Sequence, residues 1–343
     1  MPQKSKPNDE YKAFLASLKT GEIGRLYIFH GEERYLLRHS LLKLRELLCP
    51  DGINGFNYNR YEGKALTVDK LDDAIDTLPN FAQRTLIEIH DFDIFKCSDT
   101  DKKRLGQIFA QLPEYVCVIF IYDVVIYKPD RRVKLNAEIL KHADVIEFSV
   151  QEHGPLIKWI SKHFADAGKR ISSADAGYLA LITGGYMSAL LGEIEKTAAF
   201  SRGEVVTRSD IDAVVTPVLD AVVYKMTDAI AKREHISAMK IMDELLRMKE
   251  APHRLLFSIS LTMRQIMAAR VCIENNRDAK ALMKMCGLRY DFQARALMDT
   301  ARKMNLKDCR EAVLSCSKTA FDLNSTTEQE ACLTELILKL ALA

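Results

Sequence analysis

The chain has 343 residues, 48% hydrophobic and 28% charged, with 49 Lys and Arg against 47 Asp and Glu for a net charge of +2. That length holds two or three domains with a sizeable core, and near-neutrality argues against a dedicated nucleic-acid coat. No run approaches about 18 uncharged apolar residues and the opening MPQKSKPNDEYK lacks an apolar stretch, so the expectation is no membrane span, no secretory signal and residence in the cytoplasm.

The first structured signal is LYIFHGEERYLLRHSLLKL at 26–44. Strand formers, a glycine turn and an amphipathic helical pattern follow one another, which is the frame of a phosphate-binding loop. Gly31 is the only glycine placed to open such a loop. From it, G-x-x-x-x-G-K-[ST] requires glycine, lysine and a hydroxyl at 36, 37 and 38, and the chain has Leu36, Leu37 and Arg38. The frame is present without the groups that hold a nucleotide.

DKLDDAIDTL (69–78) places Leu71, Ala74, Ile75 and Leu78 at i, i+3, i+4 and i+7, predicting a helix. Pro79 stops it, because proline disfavours helical geometry in the residue before it. The connection LPNFAQRT (78–85) then puts Phe81 in a tight surface loop, either folded back onto the core or projecting toward a partner. From the residues alone the inward position is favoured. TLIEI (85–89) predicts a strand followed by Asp91 and Asp93, at the carboxyl end where open sheets place ligands. Magnesium there would lean on nucleotide phosphates and on the hydroxyl missing at 38, so a polar exit from the sheet is the favoured reading.

YVCVIFIY (115–122) is apolar almost throughout, as in a central strand covered on both faces. KPDRRVK (128–134) gathers Lys128, Arg131, Arg132 and Lys134 around a proline turn. A solvated loop opening a helix is favoured there, with phosphate contact to nucleic acid as the alternative. RRVKLNAEILKHA (131–143) predicts the helix and DVIEF (144–148) a further strand. Strand–helix alternation over 1–150 predicts a largely parallel sheet flanked by helices.

Strand signals stop after Val150. Helices are predicted over 154–168, 172–185, 186–203 and 207–215, the last opened by Thr207 and Asp210 at capping-box spacing. They suggest a small helical domain over 151–216, with Thr216-Pro217 as its exit. The remainder, 217–343, is helical by pattern and mildly basic, with methionines in DELLRMK and LTMRQIMAAR expected in a bundle core.

The eight cysteines form no C-x-x-C pair and read as reduced thiols packed as small apolar residues, so no metal is expected. The eight histidines lie in no H-E-x-x-H, and no G-x-S-x-G elbow exists, so surface or packing roles are favoured and no catalytic residue is assigned.

Taken in order, LYIFHGEERYLLRHSL, LPNFAQRTLIEI, HADVIEFSV with GPLIKWISKHFADAGKRIS, GGYMSALLGEIEKTAAF and TPVLDAVVYKMTDAI carry a likeness spanning nearly the whole chain. The sequence resembles the delta subunit of the bacterial DNA polymerase III clamp loader. The resemblance implies an AAA+-like first domain (1–150) without ATPase competence or cofactor, a helical lid (151–216) and C-terminal helices (217–343) joining a collar. Implied partners are the sliding clamp (beta), the gamma/tau and delta-prime subunits and primed DNA, with nucleotidyltransferase activity belonging to the polymerase assembly. It also implies that the clamp is gripped by the loop holding Leu78, Pro79, Asn80 and Phe81, with Phe81 projecting. Asn80 stands where relatives commonly carry leucine or phenylalanine. Arg131, Arg132 and Lys134 are the candidate DNA contacts. The alternatives are an ATPase with a divergent loop and an AAA+-like scaffold of another DNA-associated complex.

Overall fold

Runs of β-branched and aromatic residues build the strands of the N-terminal half, and their alternation assigns each side chain to one of two covered faces. The computed structural model describes residues 9–50, 55–130, 132–247, 250–325 and 327–342, and the chain divides after Val150 into two units. The first runs α1 (Asp9–Thr20), β1 (Leu26–Gly31), α2 (Arg34–Leu48), β2 (Tyr58–Glu62), α3 (Val68–Asp76), β3 (Thr85–His90), α4 (Asp99–Ala110), β4 (Val116–Ile121), α5 (Lys134–His142) and β5 (Asp144–Phe148). Every pairing is parallel and the strand order is β2-β3-β4-β1-β5, so β4 is central, and all six of its residues are buried.

Leu26 and Ile28 of β1, Ile87 and Ile89 of β3, and Val118 and Phe120 of β4 face one layer. There they pack with Leu71 and Ile75 of α3, Leu105 and Phe109 of α4, and Leu135 and Ile139 of α5. The alternate residues Tyr27 and Phe29 turn the other way, onto Phe14 of α1, in edge-on ring pairs 5.5 and 5.2 Å apart. Each such buried side chain contributes about 1.5–3 kcal/mol, so the two faces together fix the sheet's register.

Three elements of this unit had no signal in the sequence pattern. Strand β2 is polar and half exposed because it is an edge strand with one neighbour. Helix α1 buries only Phe14, and α4 only Leu105 and Phe109, so neither shows a full apolar stripe. Helix α4 is held by its start, where the Ser98 hydroxyl accepts from the Asp101 amide at 3.1 Å.

The second unit starts with α6 (His153–Asp166), β6 (Arg170–Ile171), α7 (Ser173–Ile182), α8 (Met187–Phe200), β7 (Val205–Val206) and α9 (Arg208–Val214). The expectation of no strand after Val150 is corrected by β6 and β7, a parallel pair too short to leave a periodic signal. Thr207 and Asp210 do form the capping box of α9. Seven helices follow, namely α10 (Leu219–Ala231), α11 (His235–Arg247), α12 (Pro252–Glu274), α13 (Ala279–Cys286), α14 (Asp291–Ala301), α15 (Leu306–Ser325) and α16 (Gln329–Leu342). Met226, Met242 and Met263 lie in their shared core, while Met248 of DELLRMK lies outside the described residues. Helix α12 is long and apolar enough to cross a membrane by length and composition alone, and it buries Leu255, Ile259, Met263 and Ile266 within the bundle.

The segments 151–216 and 217–343 belong to one unit. Tyr290, buried before α14, donates its hydroxyl to the Gly185 carbonyl at 2.7 Å. A Cβ on Gly185 would come within 2.7 Å of that ring, so this turn must be glycine for the two segments to close on each other.

One buried charge binds α2, β2 and β3 together. Glu88 of β3 has no exposed surface and accepts from Arg45 Nε at 2.6 Å and Nη2 at 2.5 Å. Tyr58 of β2 donates to the same carboxylate at 3.0 Å, and His90 Nε2 lies 3.4 Å away. Burial pushes the Glu88 pKa up, and hydrogen bonds from Arg45, His90 and Tyr58 outweigh it, holding the group below its ordinary value. A depressed carboxylate stabilises the fold above its unfolded pKa and loses that contribution as pH falls through the folded one. Arg45→Met strands the buried charge and is expected to cost about 3–5 kcal/mol. The double variant Arg45→Met/Glu88→Met should recover most of that loss in urea unfolding at neutral pH. A double variant as unstable as the single one contradicts the assignment.

Candidate functional site

The two ends of the parallel sheet carry different chemistry. At the carboxyl end, Gly31 adopts φ +128°, and a Cβ there would sit 2.7 Å from the Phe148 amide nitrogen and closer still to its carbonyl. Only glycine lets the chain turn this tightly against β5. The Glu33 amide then donates to the Phe148 carbonyl at 2.9 Å, and the Glu33 carboxylate caps α2 by accepting from the Tyr35 amide at 3.3 Å. A buried carboxylate of the chain itself thus occupies the helix N-terminus, the position where a phosphate would otherwise be favoured.

The next residues are likewise engaged within the protein. Leu36 and Leu37 are buried in the core, and the exposed Arg38 pairs with Asp123 at 3.8 Å. Arg34 donates to the Tyr122 carbonyl at 2.7 Å and to the Asp123 carbonyl, and pairs with the Asp123 carboxylate at 3.1 Å. The start of α2 is therefore tied to the end of β4 by protein groups.

Asp91 is similarly committed. Its Oδ1 accepts the amides of Asp123, Val124 and Val125 at 2.8–2.9 Å, a nest of three donors on one oxygen. Asp93 accepts from the Phe95 amide at 3.2 Å and pairs with Lys96 at 3.0 Å. Both acids organise turns beyond the strands.

The loop after α3 lies at the opposite, amino end of the sheet. Leu78 is 71% exposed and Phe81 105%, with Phe81 in left-handed backbone at φ +52°. A bulky side chain there is costly, by about 1–2 kcal/mol. Pro79 is half-buried and Asn80 exposed. The inward position favoured for Phe81 from the residues alone is corrected: nothing of the core covers the ring, because the backbone conformation turns it outward. Arg84 holds the far end of the loop, donating to the Glu114 carbonyl at 2.8 Å and the Ile23 carbonyl at 2.6 Å.

Sequence reasoning overlooked a second segment beside this loop. Phe56, 86% exposed, precedes β2 as the loop precedes β3, and those strands are parallel, so both lie at one end of the sheet. Asn57 reaches across, its Oδ1 accepting from the Asn80 amide at 2.6 Å and its Nδ2 donating to the Asn80 carbonyl at 2.7 Å. The signal was available in G-F-N at 55–57, an aromatic in a turn-forming context like that of Phe81.

The basic run is less concentrated than its sequence suggests. Arg131 lies outside the described residues. Arg132 forks onto Asp130 at 3.0 and 2.8 Å and lowers that carboxyl to about 2, so its charge is locally neutralised. Lys134 is exposed at the first residue of α5. The histidines are dispersed among packing and polar contacts: His163 bonds the Trp159 carbonyl at 3.0 Å, the His153 ring packs on Phe292, and His90 lies against Glu88. The eight cysteines are unpaired, five of them buried, and burial pushes the Cys117 thiol up to about 12. Among the described residues no three His, Cys, Asp or Glu side chains gather as metal ligands.

Comparison with known proteins follows these geometric divisions. The family described as "DNA polymerase III, delta subunit" matches residues 27–149, and "DNA polymerase III delta subunit, C-terminal domain" matches residues 220–340. The chain is 23% identical over 331 residues to the "DNA polymerase III subunit delta" of Bacillus subtilis (strain 168), covering 94% of each. It is 20% identical over 301 residues to the "Probable DNA polymerase III subunit delta" of Aquifex aeolicus (strain VF5), covering 86% of this chain and 84% of that one. The solved "Bacillus subtilis DNA clamp loader delta protein (YqeN)" shares its fold with a TM-score of 0.65 at 20% identity, over 97% of this chain and 99% of that one. The shared architecture is a parallel α/β domain followed by helices.

A structural role for Asp91 separates it from a metal ligand. Asp91→Ala removes the acceptor of three amides and is expected to cost about 1.5–3 kcal/mol in urea unfolding, with magnesium leaving the wild-type midpoint unmoved. A stability gain in the variant, or a midpoint raised by magnesium, would contradict this role.

Proposed function

We propose that this chain, which belongs to the DNA polymerase III delta-subunit family, grips a sliding clamp through the 77–84 loop and holds one interface of the ring open for loading onto primed DNA. The observation that carries this reading is the fully exposed Phe81, presented in costly backbone geometry on a loop pinned at both Asn80 and Arg84. An exposed aromatic on a backbone already held in place has less freedom left to lose on docking, which is how interface anchors reach their affinity.

Magnitudes limit what one ring can do. Burying a phenylalanine is worth about 1.5–3 kcal/mol. Moving a closed ring from 1:99 to 99:1 open requires a preference of about 5.5 kcal/mol for the open form. Phe81 alone therefore anchors without opening. Leu78 and Phe56 add apolar area at the same end of the sheet, and only contacts made better to the open ring than to the closed one count.

On this reading ATP is bound and hydrolysed by the gamma/tau neighbours, whose rearrangement uncovers the grip. This chain contributes no nucleotide chemistry of its own, because Glu33, Leu36 and Leu37 stand where the phosphate-binding groups would be. The C-terminal helices join gamma/tau and delta-prime in a collar. That assignment is supported by Phe257 of α12 and Leu314 and Phe321 of α15, large apolar side chains that stand mostly exposed. The assembly acts in the cytoplasm.

Two measurements test the proposal. Phe81→Ala should weaken binding of the purified chain to its own sliding clamp at least tenfold, about 1.4 kcal/mol, with Leu78→Ala weaker in effect; unchanged affinity removes the site. ATP with magnesium should show no saturable binding in the micromolar range by calorimetry, and a clear isotherm there would favour an ATPase instead.

A further inference from the structure

Phe81 stands in a conformation that a bulky residue does not adopt unaided. The residue before it, Asn80, has both main-chain groups engaged by one side chain: Asn57 Oδ1 accepts from its amide at 2.6 Å and Asn57 Nδ2 donates to its carbonyl at 2.7 Å. A carboxamide carries an acceptor oxygen and a donor nitrogen on one carbon, so a single side chain can engage the amide and the carbonyl on either side of one Cα. Asn57 is itself tied to the sheet, since its carbonyl accepts from the Leu86 amide at 2.9 Å and Tyr58 beside it opens the β2–β3 register opposite Leu86. The chain of contacts therefore runs from the β2–β3 ladder through Asn57 to Asn80 and ends at the ring of Phe81.

We infer that Asn57 is the positioning residue of this grip, locking the main chain at Asn80 so that Phe81 is presented outward in a single orientation. The inference rests on the clamp-binding reading of Phe81 and deepens it. It also assigns a role to Asn80 that does not depend on its side chain. The same clip holds the turn of Phe56 next to the loop, so the two exposed aromatics move with one support.

The test uses the full chain, its own sliding clamp, and amide hydrogen exchange at Asn80. In wild type the Asn80 amide is expected to exchange slowly. Asn57→Ala should speed it more than tenfold and weaken clamp binding about fivefold, with the thermal midpoint held near that of wild type. Asn57→Asp keeps the acceptor but loses the donor and should fall between the two. Asn80→Leu retains the main-chain pair and should leave the amide protected. In a Phe81→Ala background, Asn57→Ala should cost no further affinity, because its effect passes through the ring. Unchanged exchange in Asn57→Ala, or a full additional loss of affinity in the Phe81→Ala background, overturns the inference. Unchanged affinity in Phe81→Ala alone sinks the clamp reading and with it the role of Asn57 in binding, whereas weakened Phe81→Ala with normal Asn57→Ala sinks only the positioning role.

Discussion

A carboxylate with no exposed surface joins three elements of the first unit. Glu88 sits on β3 between Arg45 of α2 and Tyr58 of β2. Removing such a charge from water costs several kcal/mol, which only its full set of hydrogen bonds returns. The arrangement is therefore all or nothing, and it makes α2, β2 and β3 a single body. At one end of that body is the closed phosphate loop, and at the other are the two turns that carry Phe56 and Phe81. A force applied to the loop is met by a stiff sheet.

The same economy of charge governs the carboxyl end of the sheet. The dipole of α2 and the unpaired amides of its first turn favour an anion whether or not a nucleotide is present. Glu33 supplies one from within the chain, and Arg34 and Asp123 tie the helix start to β4. Asp91, at the carboxyl end of β3, commits one oxygen to three amides of the turn after β4. Glu33, Arg34 and Asp91 thus each meet a partner within the protein at the carboxyl end of the sheet.

Legibility in the sequence followed the degree of burial. Strands β1, β3, β4 and β5 and the helices that pack on them were visible because covered faces demand periodic apolar residues. Strand β2, an edge, and α1 and α4, with one or two core contacts each, have no such demand placed on them. The empty phosphate loop could be read directly, since Leu36, Leu37 and Arg38 lack the required chemistry whatever their positions. The basic run at 128–134 could be read only as charge, and its pairing of Arg132 with Asp130 emerged from the turn geometry.

What the amino-acid order determined by itself is the parallel sheet, the helical remainder and the absence of a phosphate grip, because these depend on residue type and local spacing. What tertiary structure decided is the direction of Phe81. A loop residue has no periodic neighbour to set its face, and here the choice is made by Asn57, which bonds Asn80 across 23 positions of chain and is brought alongside only when β2 pairs with β3. Side-chain-to-backbone hydrogen bonds that span such a separation carry no local pattern, so the outward ring existed as a fact only once the sheet had formed.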